Sequence, residues 1–146
     1  MARAVMALLC LVTVSAWAFT VRLADDERVG GHTIERHVGR TEADLRRRLA
    51  ASPGLNRASS FDTLETAEAV VRETLERNAR RIAAWLRADP NDGRPRAFHL
   101  TTDRVLGHGV IRGSGRYVPM RRATVVLRKT WRLDRGFYVL TAYPEP

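Results

Sequence analysis

The stretch RAFHLTTDRVLGHGVIRGSGRYVPMRRATVVLRKTWRLDRGFYVLTAY, residues 96–143, decides the fold. It breaks into short runs rich in β-branched and aromatic residues, at 97–100, 105–111, 117–120, 123–127 and 137–143. Such runs suit the pleated surface of a strand. Gly113, Gly115 and the triplet Asp134-Arg135-Gly136 punctuate them as turns. Pro119 cannot donate to a ladder, so its strand belongs at an edge. The reading is a series of antiparallel strands.

Upstream the period changes to that of a helix. Ile34 and Val38 lie one turn apart over 32–38, and Gly39 is placed to end that helix. Thr41 with Asp44 resembles a capping box, and Leu45 and Leu49 form the apolar stripe of a second helix. Pro53-Gly54 stops it. Asp62 with Glu65 starts a third in the same way, with Ala67, Val70, Val71, Thr74 and Leu75 on its buried face. Asn78 interrupts the pattern before Ile82, Trp85 and Leu86 resume it, and 89–93 is a loop. Helices followed by strands define an α+β domain, with N-terminal helices packed on a C-terminal twisted antiparallel sheet. A chain of 146 residues fits one such core. Trp85 and Trp131 are read as packing residues.

Residues 1–18 read as a signal peptide. Arg3 precedes the apolar run 5–14, and Ala16 and Ala18 stand two apart ahead of a cleavage point. The run is short for a membrane span. The only cysteine, Cys10, lies within it, so the mature chain has no disulfide and no cysteine metal ligand. Residues 19–30 read as a flexible acidic lead and 31–146 as the domain. The expected destination is outside the cell or in the periplasm, with no membrane contact after signal removal.

The chain carries 25 Lys+Arg against 16 Asp+Glu, and Lys129 is its one lysine. Phosphate contacts therefore fall to arginine, whose planar fork suits them. Residues 19–90 hold 13 Arg against 12 acids, whereas 91–146 hold 11 Lys+Arg against 4. The positive excess sits on the strand half and favours a polyanionic partner. Glycine-rich phosphate loops with a lysine, HExxH, CxxC and GxSxG are all absent. His32, His37, His99 and His108 offer no pair at metal-binding spacing, so no metal or cofactor is expected.

The segment Gly30-Gly31-His32-Thr33-Ile34-Glu35-Arg36-His37-Val38-Gly39-Arg40-Thr41 resembles the signature of the bacterial RNase A-like toxin domain of contact-dependent growth inhibition proteins. So do Leu45 and Leu49, then Ala58-Ser59-Ser60-Phe61, Ala67-Glu68, Asn78, Ile82, Trp85 and Leu86, and the closing Tyr138-Val139-Leu140-Thr141-Ala142-Tyr143-Pro144. The resemblance covers nearly all of the mature chain, in order. It implies an RNase A-like fold without disulfides and an active-site group of His37, Arg48, Thr141 and Tyr143. Arg48 lies in the triplet Arg46-Arg47-Arg48. Arg47 falls opposite the Leu45–Leu49 stripe, but periodicity does not choose between Arg46 and Arg48.

These residue types fit metal-independent RNA cleavage by the substrate's own 2′-hydroxyl. Histidine titrates near neutrality and suits the base, and arginine suits the charged transition state. Thr141 and Tyr143, two apart on a strand, share a face. The expected product is a 2′,3′-cyclic phosphate. His32 is the competing base or a substrate-binding residue. The resemblance also implies an RNA substrate and an immunity protein, and a basic cleft calls for an acidic surface on that inhibitor. Two other readings stay open: a non-catalytic cationic module that binds RNA or another polyanion, and a membrane-active cationic protein.

Overall fold

The computed structural model describes residues 19–89 and 91–146, and the signal-peptide reading of 1–18, with Cys10, lies outside them. The order is α1 (Leu23–Arg28), α2 (Thr33–His37), α3 (Glu42–Ala51), β1 (Arg57–Phe61), α4 (Leu64–Arg77), α5 (Ala79–Arg87), β2 (Arg96–Thr101), β3 (Gly107–Ile111), β4 (Tyr117–Met120), β5 (Arg122–Lys129) and β6 (Phe137–Glu145). The α+β expectation holds, but the strands form two antiparallel three-stranded sheets, ordered β1-β3-β4 and β2-β5-β6. Pro119 sits on the edge strand β4, as its missing N–H demands.

Several local signals act as read. Thr41 and Asp44 form a complete capping box on α3. Asn78 ends α4 and begins α5, its Nδ2 donating to the Thr74 carbonyl at 2.8 Å. Gly39, just past α2, takes a φ of +63° and donates its N–H to the Phe61 carbonyl. Others differ. The N-cap of α4 is Thr63, whose side chain accepts from the Thr66 N–H, while Asp62 accepts from His108. β1 follows α3 directly, so a strand precedes two of the helices. Trp85 is core, but Trp131 is 89% exposed, in the turn between β5 and β6, with Arg132 over its ring.

The main core gathers Phe61, Val70, Leu75, Ile82 and Trp85 against Phe98, Val125, Phe137 and Val139. A smaller one holds Leu45 and Leu49 of α3 on Ala58 and Val110. Burial of these side chains drives the packing of helix on sheet.

Residues 19–30 are not a loose lead. Within them α1 buries Leu23 and Asp26. The Asp26 carboxylate pairs with Arg135 and accepts the Val139 N–H at 2.6 Å, pinning α1 to β6. Desolvation holds its pKa above the usual carboxylate value despite Arg135. Gly31 then passes so close to β6 that a Cβ there would stand 2.6 Å from the Val139 carbonyl oxygen.

One irregularity in β6 governs the site. Val126 pairs with Thr141 but Leu127 pairs with Val139, so Leu140 is an extra, bulged residue. Phe137 and Val139 face the core before the bulge; Ala142 and Pro144 do so after it. Strict alternation from Val139 would have buried Thr141 and Tyr143. The bulge reverses the phase and turns both away from the core.

The buried pair gives a stability prediction. Arg135→Leu strands a desolvated carboxylate and should lower unfolding free energy by about 3–5 kcal/mol in urea titration. Asp26→Asn keeps an acceptor for Val139 and should cost clearly less. Equal losses would show that the charge of Asp26 is immaterial.

Candidate active site

Helix α2 is held at both ends. At its start the His32 N–H donates to the Leu140 carbonyl at 3.0 Å, and Thr33 Oγ1 accepts from the Ala142 N–H at 2.9 Å. These bonds straddle Thr141 and use the carbonyl that the bulge exposes. Glu27 Oε1 accepts from the N–H groups of Ile34 and Glu35 and satisfies the first turn. At its end Val38 bridges Phe61, and the Arg40 N–H donates to Ser60 Oγ at 3.0 Å. The helix thus spans from β6 to β1, one strand of each sheet. Ser59 Oγ, donating to the Pro144 carbonyl at 2.7 Å, ties those strands together.

A cavity of about 360 Å³ opens at this junction, and His32, His37, Arg48, Thr141 and Tyr143 all line it. All five residues named from sequence therefore meet at one place. The triplet also separates: Arg46 pairs with Glu42 and Arg47 with Asp44 on the outer face of α3, while Arg48 turns to the cavity. Its Nη1 donates to the Arg36 carbonyl at 3.1 Å, the free C-terminal end of α2.

His37 is 7% exposed. Its Nδ1 lies 3.1 Å from the Ser59 carbonyl oxygen, which only accepts, so Nδ1 carries the proton and Nε2 keeps its lone pair. Burial, aided by the nearby charge of Arg48, pushes its pKa down to about 4 against the pull of the Ser59 bond. The Tyr143 ring lies beside it, centroids 5.4 Å apart. His32 is also held below its ordinary value, by desolvation first and then by Arg36. Thr141 Oγ1 is buried and has no partner among the described residues. An unmet hydroxyl in such a place costs about 1–3 kcal/mol, which a ligand acceptor would recover.

Sequence reasoning missed the opposite wall. Residues 54–59, from the loop after α3 and the start of β1, close the cavity with Asn56 and Arg57 among them. Arg57 pairs with Glu145, which also accepts from Thr124 Oγ1 at 2.9 Å. Arg112 fixes this wall, donating to the carbonyls of Leu49, Ser52 and Leu55. Among the described residues no carboxylate lines the cavity, and its two arginines come from the nearly neutral half of the chain rather than the strongly basic one. His99 and His108 lie elsewhere, bonded to Thr124 and Asp62. Among the described residues no group of three or more His, Cys, Asp or Glu is gathered for a metal.

Two sheets joined by a short helix, with histidine, arginine, threonine and tyrosine around one cationic cavity, define an RNase A-like α+β domain. Residues 31–144 match the model of the bacterial CdiA-CT RNAse A domain. A chain of the CdiA-CT/CdiI complex from Y. kristensenii 33638 is 31% identical with a TM-score of 0.71, over 80% of this chain and 100% of that one. No curated protein matches. The chain belongs to the bacterial CdiA-CT RNAse A domain family, whose members are toxin domains of contact-dependent growth inhibition.

The depressed His37 pKa has a consequence for stability. The unfolded chain protonates this ring near the ordinary 6.5, the folded chain only near 4. The stabilisation is complete above about pH 6.5 and is lost as pH falls towards 4, by about 3 kcal/mol in all. Urea titrations of wild type and His37→Gln should therefore converge or cross over that window. Parallel curves would contradict the shift.

Proposed function

We propose that the chain is a metal-independent endoribonuclease that cleaves RNA through its 2′-hydroxyl and leaves a 2′,3′-cyclic phosphate. The observation that carries this reading is His37: a buried, neutral imidazole, anchored through Nδ1, in a cavity with cationic walls. Nε2 takes the 2′-hydroxyl proton as the 2′-oxygen attacks phosphorus. The bond from phosphorus to the 5′-oxygen breaks, and the Tyr143 hydroxyl gives that oxygen its proton. Arg48 and Thr141 Oγ1 hold the non-bridging oxygens as charge grows on them. His32, at the cavity mouth, binds the phosphate. A pKa near 4 describes the free site; a bound phosphate anion offsets the arginines and raises the basicity of His37 towards the useful range.

The same reading extends to the setting. Residues 1–18 export the chain to the periplasm or beyond, and the folded domain behind them includes α1. An acidic immunity protein covers the cationic cavity, by analogy with the neighbour solved as a CdiA-CT/CdiI complex.

The test is a gel assay of residues 19–146 in excess EDTA, on RNA and on DNA of the same sequence. RNA should be cut and DNA spared. His37→Ala and His37→Gln should lower the rate by about 10²–10⁴-fold, and Arg48→Ala by about 10²–10³-fold, while RNA binding by the histidine variants persists. Intact RNA with folded protein would leave a non-catalytic polyanion-binding module. Leakage of anionic vesicles without RNA turnover would point to a membrane-active protein.

A further inference from the structure

Beside the active-site cavity lies a second, of about 540 Å³, lined by Arg36, Arg48, Ser52, Gly54 and Leu55. Three of these, Arg48, Gly54 and Leu55, line both cavities, so the two are continuous around the Arg48 side chain. We infer that this second cavity is a subsite for a neighbouring phosphate of a polynucleotide, with Arg36 as its main ligand. The inference rests on the ribonuclease reading and adds to it a requirement on the substrate: a chain with more than one phosphate.

The charges argue for it. Arg36 and Arg48 come together with no carboxylate in the lining among the described residues. Desolvation first, and then the charge of Arg36, hold Arg48 below the ordinary arginine value. Several exposed arginines pair with carboxylates: Arg28 with Asp25, Arg46 with Glu42, Arg47 with Asp44, Arg77 with Glu73 and Arg94 with Asp92. Among the described residues neither Arg36 nor Arg48 pairs with a carboxylate. Two like charges kept together at a polar wall are relieved by an anion, and a phosphate offers acceptors for both guanidinium forks. The wall is also rigid. Arg48 is tied to the Arg36 carbonyl, and Arg112 fixes the carbonyls of Ser52 and Leu55, so the subsite keeps its place relative to His37.

The experiment uses the full chain with Arg36→Gln, and with Arg94→Ala as a control arginine that lines neither cavity. On a tetranucleotide, Arg36→Gln should lower kcat/KM about tenfold. On a dinucleoside monophosphate, with its single phosphate, it should change kcat/KM less than about twofold. The log–log salt slope on the longer substrate should flatten by about 0.7, one phosphate contact on a single strand. Equal losses on both substrates, or an equal loss in Arg94→Ala, would overturn the subsite. A separate arm needs no turnover: anisotropy of a labelled DNA octanucleotide. There Arg36→Gln should weaken binding about tenfold, and unchanged binding would overturn the subsite whether or not RNA is cleaved. Absence of RNA cleavage together with weakened DNA binding would sink the ribonuclease reading and leave the phosphate site standing.

Discussion

The hydrogen bond from His37 Nδ1 to the Ser59 carbonyl is the constraint on which the site depends. It fixes the tautomer, aims the second nitrogen and joins α2 to β1. It exists because α2 is pinned at its other end to β6, by His32 on the bulged Leu140 carbonyl and by Thr33 on the Ala142 N–H. Five helical residues would not hold such a shape alone, since short helices are marginal in water. Docking on two strands, and the Glu27 carboxylate on the first turn, replace length as the source of order. The bulge serves two ends at once. It offers α2 a carbonyl and turns Thr141 and Tyr143 towards the ring that α2 carries.

Electrostatics follow from the same geometry. Burying His37 between two sheets disfavours its charged form, and the arginines around it act in the same direction. The free site therefore holds a neutral imidazole among fixed cations. In the proposed reaction an anionic substrate would enter a field arranged for it and, by entering, raise the basicity of His37. Asp26 shows the converse, a carboxylate buried with Arg135 far from the cavity, where it secures α1 and β6 rather than chemistry.

Much of this was legible in the sequence. Thr41–Asp44, Asn78 and Pro119 each act through local chemistry that a sequence displays. The resemblance over 31–143 pointed to residues that share one cavity, and structure was needed only to separate Arg48 from Arg46. What stayed hidden depends on tertiary contact. The bulge cannot be read because Phe137, Val139, Leu140 and Ala142 are apolar on both faces of the strand. Strand β1, Arg57–Phe61, has the small residues Ala58, Ser59 and Ser60 at its centre, and reads as strand only once β3 pairs with it. Helix α1 looks like an acidic tail until Arg135, more than a hundred residues away, meets Asp26. Trp131 shows the reverse error: a large apolar ring in a turn has no core to reach. The wall formed by 54–57 has no motif at all, because Arg112 holds it through backbone carbonyls.

The central claim is that His37 stands neutral, proton on Nδ1, ready to receive a proton on Nε2. Nitrogen-15 NMR of the imidazole rings, followed against pH, measures both features directly. The expected result is a His37 ring protonated on Nδ1 at neutral pH, bonded to a carbonyl and titrating only near pH 4. A ring protonated on Nε2, or one that charges near the ordinary 6.5, would contradict it.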